Sequence, residues 1–563
     1  MRRLLVIICS IVLSSATTWA YTPPIGIPDP SLSWGGIQNP VDDSPPARPA
    51  PWTSEVAGYY YIDYGTGSDS GRTYGSPTAP RKTIPRPVPA GSYVELHGTY
   101  SYVSGGKVFF QGNGTSGRWS ANATGPVWIV GQTGSEPTIT GAALVYGSYV
   151  YLYNLKFSGT TLGPVLQVSS TSAGYAADHI AIRNCDVQGT STSADGVAVV
   201  ANSGSHVTQM LIYNNRVRNH GPTYDVDQDS HMIDIASYVD NIWILNNALD
   251  NSSGAGIQLG PYAPGPTFVY IGKNLVNNSR QSGIGTKYAT DVIVSENIVH
   301  DVQDRCVGAD TSPSKGLHAQ YSPNRLWWIN NNVYNCRYGI RVASTNSGQG
   351  EVYAIGNIIH NIDIPPSVCF GYPTGTNTWD MAAIHFHGAV TKWAVNNTIY
   401  NVSSGIHDSS TTSGGNFYNN IISRVTHVNG YALYTETTTN TQVDYSLYDD
   451  IAGSMFRWGG GGTKYTTLAG FSSGTGKNTH SITGNPLFTN AAGNIFSLTP
   501  SSPAIDHGTV ASIYQTFLSR YGISISKDNS NTAKPQGVAL DIGAYEFNGA
   551  VNKPIYPLIK GIN

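Results

Sequence analysis

Four side chains with complementary chemistry occur in a set of short, β-branched segments of the chain: His231, Asp234, Lys287 and Arg305. A neutral imidazole can accept a proton near neutral pH, and a neighbouring carboxylate, Asp195 or Asp234, can orient it. Lysine and arginine can neutralise a substrate carboxylate, and Lys287 is a second candidate base. Neutralising a carboxylate and removing the proton beside it are the requirements for chemistry at C5 of a uronic acid. We therefore interpret His231, Asp234, Lys287 and Arg305 as catalytic candidates.

A second group of polar residues is predicted to lie on the same face. In a repeated Gly-Ile-x pattern, the aliphatic residue points inward and the next residue points outward. In the segment after Lys287 the pattern is assigned to Val307 and Gly308, which places Asp310 beside Lys287. That pair can also be interpreted as a surface salt bridge. The predicted substrate-binding residues are Asp195, Gln258, Asp310, Arg341 and His385.

The most acidic stretch of the chain, residues 224–234, contains three aspartates in alternation before His231. Their carboxylate oxygens are the ligands that a hard cation such as Ca²⁺ prefers. The pattern departs from an EF-hand, since the glycine and the distal glutamate are missing, and an Asp-rich turn that bonds its own backbone is the alternative. We expect Ca²⁺ as a candidate cofactor, with no organic cofactor, and Asp225, Asp227 and Asp229 as its ligands.

The elements that must position these residues are indicated by a ladder of asparagines. Each stands two residues before an aliphatic residue, at intervals of 23 to 40 residues. An inward amide at a turn can bond the same amide one coil above and below, whereas helical repeats hold one length. The pattern predicts an all-β, right-handed parallel β-helix over residues 145–430, with Cys185 in the asparagine position of an earlier coil. The ladder comprises Asn215, Asn247, Asn274, Asn297, Asn331, Asn357, Asn397 and Asn420.

Composition marks the remaining segments. A basic start, an apolar run and small residues ending at Ala20 predict a secretory signal peptide over residues 1–20, and hence an extracellular or periplasmic protein. Residues 21–57 are Pro-rich and are interpreted as a linker or arm. Residues 58–144 are predicted to form an N-terminal cap with the first coils, and residues 431–563 the final coils with a C-terminal cap.

Charge and hydropathy restrict the classes of partner. Of 31 basic residues, Arg2 and Arg3 lie in the predicted signal peptide, which leaves 29 against 34 acidic residues. This balance argues against a general nucleic-acid-binding surface. The apolar run near the N-terminus is too short for an ordinary membrane span. We expect a monomer that binds an acidic polysaccharide, without nucleic acid and without a membrane span.

Several segments resemble those of secreted bacterial right-handed β-helix proteins of the polysaccharide lyase and uronate epimerase type. Tyr59-Tyr-Tyr-Ile-Asp-Tyr-Gly resembles the opening segment of such proteins, and Leu540-Asp-Ile-Gly-Ala-Tyr-Glu-Phe resembles a closing segment. The stretch from Asn219-His-Gly to His231-Met-Ile-Asp-Ile is similar to one in which Asp and His flank the cleft. The resemblance implies an exported, carbohydrate-active protein.

Three hypotheses of function follow. The first is a lyase that cleaves a uronic-acid-containing polysaccharide by C5 proton abstraction, or an epimerase that acts through the same step. The second is a β-helix glycoside hydrolase, in which Asp195, Asp229 and Asp234 come together. The third is a non-enzymatic, carbohydrate-binding surface protein. Unsaturated products would indicate the lyase, and new reducing ends without them the hydrolase. Binding without turnover would indicate the surface protein.

Overall fold

The computed structural model describes residues 21–34, 39–85, 88–101, 107–111, 125–159, 163–170, 177–192, 194–221, 229–302, 314–343, 350–362, 381–388 and 391–549. Within these ranges, no helix has both the length and the apolar character needed to cross a membrane. The predicted signal peptide lies outside the described residues. So do four candidate site residues, Asp225, Asp227, Arg305 and Asp310.

Three strands make one coil, and successive coils stack in parallel from Tyr59–Asp63 to Ile482–Thr483. Each strand pairs with the equivalent strand of the next coil, so that side chains at one strand position form a column along the stack. This is the parallel β-helix that the asparagine spacing predicts. We call its three faces the site sheet, the aromatic sheet and the ladder sheet.

The site sheet consists of Lys107–Gln111, Ala142–Ser148, Leu166–Ser169, Val197–Val200, Ile233–Ile235, Ile257–Leu259, Ser282–Lys287, Lys315–Gln320, Tyr338–Ala343, Ile384–His387, Ile406–Asp408, Tyr431–Thr435, Ser454–Trp458 and the antiparallel Thr463–Tyr465. The aromatic sheet consists of Tyr59–Asp63, Tyr93–His97, Val127–Gly131, Val150–Tyr153, Ala177–Arg183, Val207–Tyr213, Val239–Leu245, Thr267–Gly272, Thr290–Ser295, Asn324–Ile329, Glu351–Ile355, Thr391–Val395, Asn416–Tyr418 and Gln442–Asp444.

The ladder sheet consists of Thr99–Tyr100, Thr138–Thr140, Lys156–Ser158, Asp186–Gln188, Arg216–His220, Ala248–Ser252, Leu275–Ser279, Ile298–His300, Asn332–Cys336, Ile358–Ile362, Thr398–Val402, Ile421–Val425, Leu447–Ile451 and Ile482–Thr483. Further elements are the α-helices Pro30–Ser33, Leu468–Thr475 and Ile513–Tyr521, the 3-10 helix Ala491–Gly493, and the hairpin Phe488–Asn490 with Ile495–Leu498.

The asparagine ladder is buried and continuous. Asn215 Nδ2 donates to Asn247 Oδ1 at 3.0 Å, and Asn247 Nδ2 donates to Asn274 Oδ1 at 2.9 Å. The same Asn274 oxygen accepts the backbone N–H of Asn247 at 2.9 Å. At the N-terminal end, the backbone N–H of Cys185 donates to Asn215 Oδ1 at 2.8 Å, which confirms the position predicted for Cys185. Each amide therefore joins two coils and satisfies buried polar groups of both.

The backbone geometry of the turns is a second reason for asparagine at these positions. The residue before a ladder position has a left-handed backbone, with φ of 56° at both Asn214 and Asn246. Left-handed geometry is uncommon for residues other than glycine, and asparagine tolerates it better than most. The consecutive asparagines at these turns thus serve two purposes, one in the backbone and one in the ladder.

The aromatic sheet is covered by both ends of the chain. Ile27 and Trp34 from the N-terminal segment pack into one buried cluster with Trp243 of the sheet and Phe517 of the helix Ile513–Tyr521. Trp243 Nε1 donates to the carbonyl of Pro28 at 2.9 Å. The Pro-rich segment is therefore an ordered arm along its described residues, and the aromatic sheet is core rather than a candidate binding face.

Candidate active site

The predicted outward column lies on the site sheet. Asp234 pairs with Gln258, and Gln258 pairs with Gly285. Further along the stack, Arg341 pairs with His385. Because the inward neighbours are buried aliphatic residues, these side chains are on the outer side of the strands. The period-two pattern thus predicts the column correctly in these coils.

In one coil the column is formed by a different segment from the one that the sequence pattern predicts. The strand in that coil is Lys315–Gln320, so that His318, rather than Gly308, occupies the column position. Lys287 consequently pairs with Gln320. The prediction that Asp310 stacks beside Lys287 in the sheet is therefore wrong, and Asp310 itself lies outside the described residues.

A glycine identifies the correct segment. Gly316 precedes Leu317 and His318, in the same order of glycine, aliphatic residue and outward residue as in the neighbouring coils. A side chain is excluded there, since a Cβ on Gly316 would lie 2.7 Å from the carbonyl oxygen of Gly339. The segment around Val307 has no glycine in the preceding position. The close approach of the backbones requires a glycine at this position. The glycine is therefore the signal in the sequence that identifies His318.

His231 is held by hydrogen bonds to both neighbouring coils. Its backbone N–H donates to Asp195 Oδ1 at 2.7 Å, and its Nδ1 accepts the backbone N–H of Ala255 at 2.8 Å. A ring nitrogen that accepts has no proton, so the neutral ring carries its proton on Nε2. Burial lowers the pKa of His231 to about 4, against the opposing charge of Asp195. His231 is therefore a neutral hydrogen-bond donor at Nε2, and a role as base would require breaking the bond from Ala255.

Asp195 and Asp234 are two carboxyl groups in one electrostatic environment. Burial raises the pKa of both groups. The pKa of Asp234 reaches about 8, since the charge of Asp195 adds to burial and the charge of Lys287 opposes it only in part. Asp234 is thus a protonated acid at neutral pH, which is the state required of a general acid.

Lys287 ends the strand Ser282–Lys287 and is half-buried. Its charge acts on both His231 and Asp234, so that the ammonium lies in the same electrostatic environment. Among the described residues, its side chain has neither a hydrogen bond nor an ion pair with protein. Arg280 differs, because it is buried and donates to Asp229 at 3.2 Å. Lys287 is therefore available to a ligand.

The predicted substrate-binding residues differ in accessibility. Gln258 is buried and donates through Nε2 to the carbonyl of Leu259 at 2.9 Å. Arg341 is half-buried, with its guanidinium 4.7 Å from the ring centre of Tyr338. His385 is buried and stacks on neighbouring rings. Of these three, Arg341 has the geometry best suited to a ligand.

An imidazole stack, which includes the predicted His385, continues the column. His385 and His407 lie 4.6 Å apart with rings nearly parallel, and His407 stacks on Tyr434 at 4.4 Å. Burial lowers the pKa of His407 to about 3 and that of His385 well below its usual value. Neutral stacked rings of this kind support the coils rather than transfer protons.

The metal prediction can be assessed only at Asp229. Its Oδ1 accepts from Arg280 Nη2 and from Gln281 Nε2, so that this oxygen is engaged by protein donors. Within the described ranges, no group of three or more His, Cys, Asp or Glu side chains is arranged to hold a metal ion. Asp225 and Asp227 lie outside those ranges. The calcium site stays a prediction.

The described residues thus bring together Asp195, His231, Asp234 and Lys287. This cluster, which we call the acid–base cluster, contains one protonated acid, one neutral imidazole, a second carboxyl group and one cation without a partner among the described residues. Such a set can donate a proton to a leaving oxygen, and the Lys287 nitrogen can accept one after it has released its own. The sequence predicts all four members, whereas their protonation follows from burial.

A family model described as the right-handed β-helix region matches residues 166–361, which confirms the predicted fold and its handedness. No curated protein sequence matches the chain. Among solved structures, the pectate lyase Pel9A is similar with a TM-score of 0.39 and 12% identity, over 87% of this chain and 96% of its own.

Two further structures have other activities. The surface adhesin PfbA of Streptococcus pneumoniae has a TM-score of 0.38 and 14% identity, over 66% of this chain and 87% of its own. The catalytic domain of a GH87 alpha-1,3-glucanase has a TM-score of 0.37 and 12% identity, over 79% of this chain and 70% of its own. The chain is thus similar in fold, to about the same degree, to a lyase, an adhesin and a glucanase. Its function has to be argued from the site.

Proposed function

We propose that the protein is an extracellular polysaccharide lyase that cleaves a uronic-acid-containing chain by abstraction of the C5 proton. The observation that carries the proposal is Lys287, a half-buried lysine whose side chain has no hydrogen bond or ion pair with the described residues. It shares an electrostatic environment with Asp234, whose raised pKa keeps that carboxyl protonated. A base and an acid are thus supplied together.

The roles follow from the protonation states. The Lys287 amine, once deprotonated, removes the C5 proton of the uronate. The electrons of the broken C–H bond form the C4–C5 double bond, and the bond from C4 to the glycosidic oxygen breaks. The Asp234 carboxyl gives its proton to that oxygen. His231 donates through Nε2 to the substrate, Asp195 holds the His231 backbone, and Arg305 is the candidate that neutralises the substrate carboxylate.

The remaining predicted residues have binding roles in this proposal. Arg341 contacts an acidic sugar further along the column in this proposal, and the buried Gln258 and His385 lie beneath the substrate. Ca²⁺ held by Asp225, Asp227 and Asp229 would assist neutralisation of the carboxylate, which is chemistry that hard cations supply. An epimerase would use the same first step and return the proton to the opposite face.

A glycoside hydrolase is the second candidate, and a specific observation favours it. The carboxyl groups of Asp195 and Asp234 influence each other, as two catalytic carboxyls do in many glycosidases. In that reaction Asp234 protonates the glycosidic oxygen and Asp195 acts as the base or nucleophile. Lys287 would then have no chemical step, so that its removal would spare turnover.

The test is a panel of acidic and neutral polysaccharides, assayed with and without added Ca²⁺. Products are followed by the ultraviolet absorbance of unsaturated uronide ends and by reducing-end chemistry. The lyase proposal expects absorbance with acidic substrates, and its loss in Lys287→Met with binding retained. The control Lys527→Met removes an exposed lysine elsewhere and should leave the rate unchanged. Reducing ends without absorbance would indicate the hydrolase, and binding without products an adhesin.

A further inference from the structure

Tyrosines follow the acid–base cluster on adjacent coils. Tyr288 comes directly after Lys287, and Tyr321 comes directly after Gln320, the residue that pairs with Lys287. Tyr262 lies in the turn of the preceding coil and is 75% exposed. These three residues, which we call the tyrosine edge, border the site sheet where its strands end. None of them is required by the proton transfers described above.

The geometry of the tyrosine edge is ordered. The rings of Tyr288 and Tyr321 lie 5.2 Å apart with an interplanar angle of 11°. The carbonyl of Tyr262 accepts a hydrogen bond from Ser237 Oγ at 2.8 Å, which fixes the turn that presents its ring. In the described part of the chain, none of the three phenol groups has a hydrogen-bond partner. The edge therefore offers apolar ring surface together with free donors.

The backbone of the edge is strained. Tyr288 and Tyr321 have φ of 52° and 58°, in the left-handed region that a large aromatic residue rarely adopts. Tyr238, with φ of 59°, occupies the position equivalent to Tyr288 two coils earlier. Residues kept in such geometry cluster at ligand-binding positions. A left-handed tyrosine therefore recurs at this turn, beside the coils of the acid–base cluster.

We propose that the tyrosine edge is a sugar-binding subsite, in which a pyranose ring next to the reacting uronate packs on Tyr288 and Tyr321 and contacts Tyr262. An aromatic ring offers a flat apolar face to the C–H groups of a sugar, and its hydroxyl bonds the sugar hydroxyls. The inference rests on the proposed function, because the direction of the bound chain is taken from a reacting uronate at Lys287. The ligand class is a polysaccharide segment of at least two sugars.

The test uses Tyr288→Asn and Tyr321→Asn, singly and together, because asparagine tolerates the left-handed backbone. The matched control is Tyr149→Asn. Tyr149 has φ of 56° and stacks on His179 at 4.3 Å. It lies between a site-sheet strand and an aromatic-sheet strand five coils away, about 24 Å along the stack, three residues later in the register than Tyr288. Thermal melting of each variant shows that the fold is retained.

The double variant should raise KM for the long polysaccharide about tenfold, with kcat unchanged. The smallest cleavable oligosaccharide and the Tyr149→Asn control should be unaffected. If the wild-type protein binds a polysaccharide without turnover, the affinity of the double variant is measured instead, and an equivalent loss supports the subsite while the lyase proposal fails. An unchanged KM, or an unchanged affinity, in the double variant would overturn the subsite and leave the lyase proposal standing.

Discussion

His231 and Asp234 are close in sequence, and both side chains are uncharged at neutral pH. The physical reason is the same for both, although their charged forms have opposite signs. Burial disfavours the charged form, which lowers the pKa of the imidazole to about 4 and raises that of the carboxyl to about 8. Lys287 is thereby left as the cation of the cluster that retains no protein partner among the described residues. The chemistry of the site thus depends on desolvation as well as on residue type.

Replacing Asp234 by asparagine tests this balance. The variant should lose turnover, and the wild-type rate should fall as pH rises through about 8, since the acid is then ionised. The variant should nevertheless be more stable than the wild type at high pH. Between pH 3.8 and 8 the folded state holds a proton that the unfolded chain releases, so wild-type stability decreases as pH rises. Asp234→Asn should therefore melt higher than the wild type at pH 9, with little difference near pH 4.

Asp450→Asn is the control, because Asp450 is exposed and lies on the ladder sheet. Its melting temperature should follow the wild type across the same pH range. Equal melting of Asp234→Asn and wild type at pH 9 would contradict the raised pKa of Asp234. Full activity of Asp234→Asn would place the acid elsewhere.

At the scale of elements, the ladder ties each coil to the next through side chains as well as strands. Asn297 Nδ2 donates to Asn331 Oδ1 at 3.0 Å and to the carbonyl of Ile271 at 2.9 Å. Asn297 Oδ1 in turn accepts from Asn274 Nδ2 at 2.9 Å. One amide therefore contacts both neighbouring coils, and the coils from Asn215 to Asn420 are held by the same device.

Replacing Asn297 by leucine should weaken the stack. The change leaves buried groups of Asn274 and Ile271 without partners, at a cost on the order of 1–3 kcal/mol for each group. The denaturant midpoint should fall accordingly. Asn416→Leu is the control, because Asn416 is half-buried in a strand and its side chain has no hydrogen bond within the described residues. An unchanged midpoint in Asn297→Leu would argue against a stabilising ladder.

At the scale of the whole molecule, the two ends of the chain close one side of the coil. The arm places Ile27 against the aromatic sheet, where a Cβ on Gly272 would lie 2.8 Å from Ile27 Cδ1. The backbone N–H of Ile25 donates to Glu296 at 2.7 Å. Tyr521 from the C-terminal helix accepts from Trp327 Nε1 at 3.1 Å. The ends thus stabilise the middle coils, which carry the acid–base cluster.

Ile27→Ala should destabilise the protein by about 2–4 kcal/mol, since Ile27 is a buried core residue. Leu32→Ala in the same arm is the control, because Leu32 is 78% exposed and should change stability by less than about 0.5 kcal/mol. Both effects are read from equilibrium denaturation. Equal stability of the two variants would mean that the arm does not contribute to the fold.

The parallel coil, the ladder and the cluster residues Asp195, His231, Asp234 and Lys287 were predictable from the sequence, because period-two alternation and turn asparagines are local properties of the chain. Local pattern could not decide which segment fills a coil after an insertion. There the close packing of Gly316 against Gly339 selects His318, and Lys287 meets Gln320. Protonation likewise required the tertiary structure, since the pKa of Asp234 depends on burial and on charges from other coils.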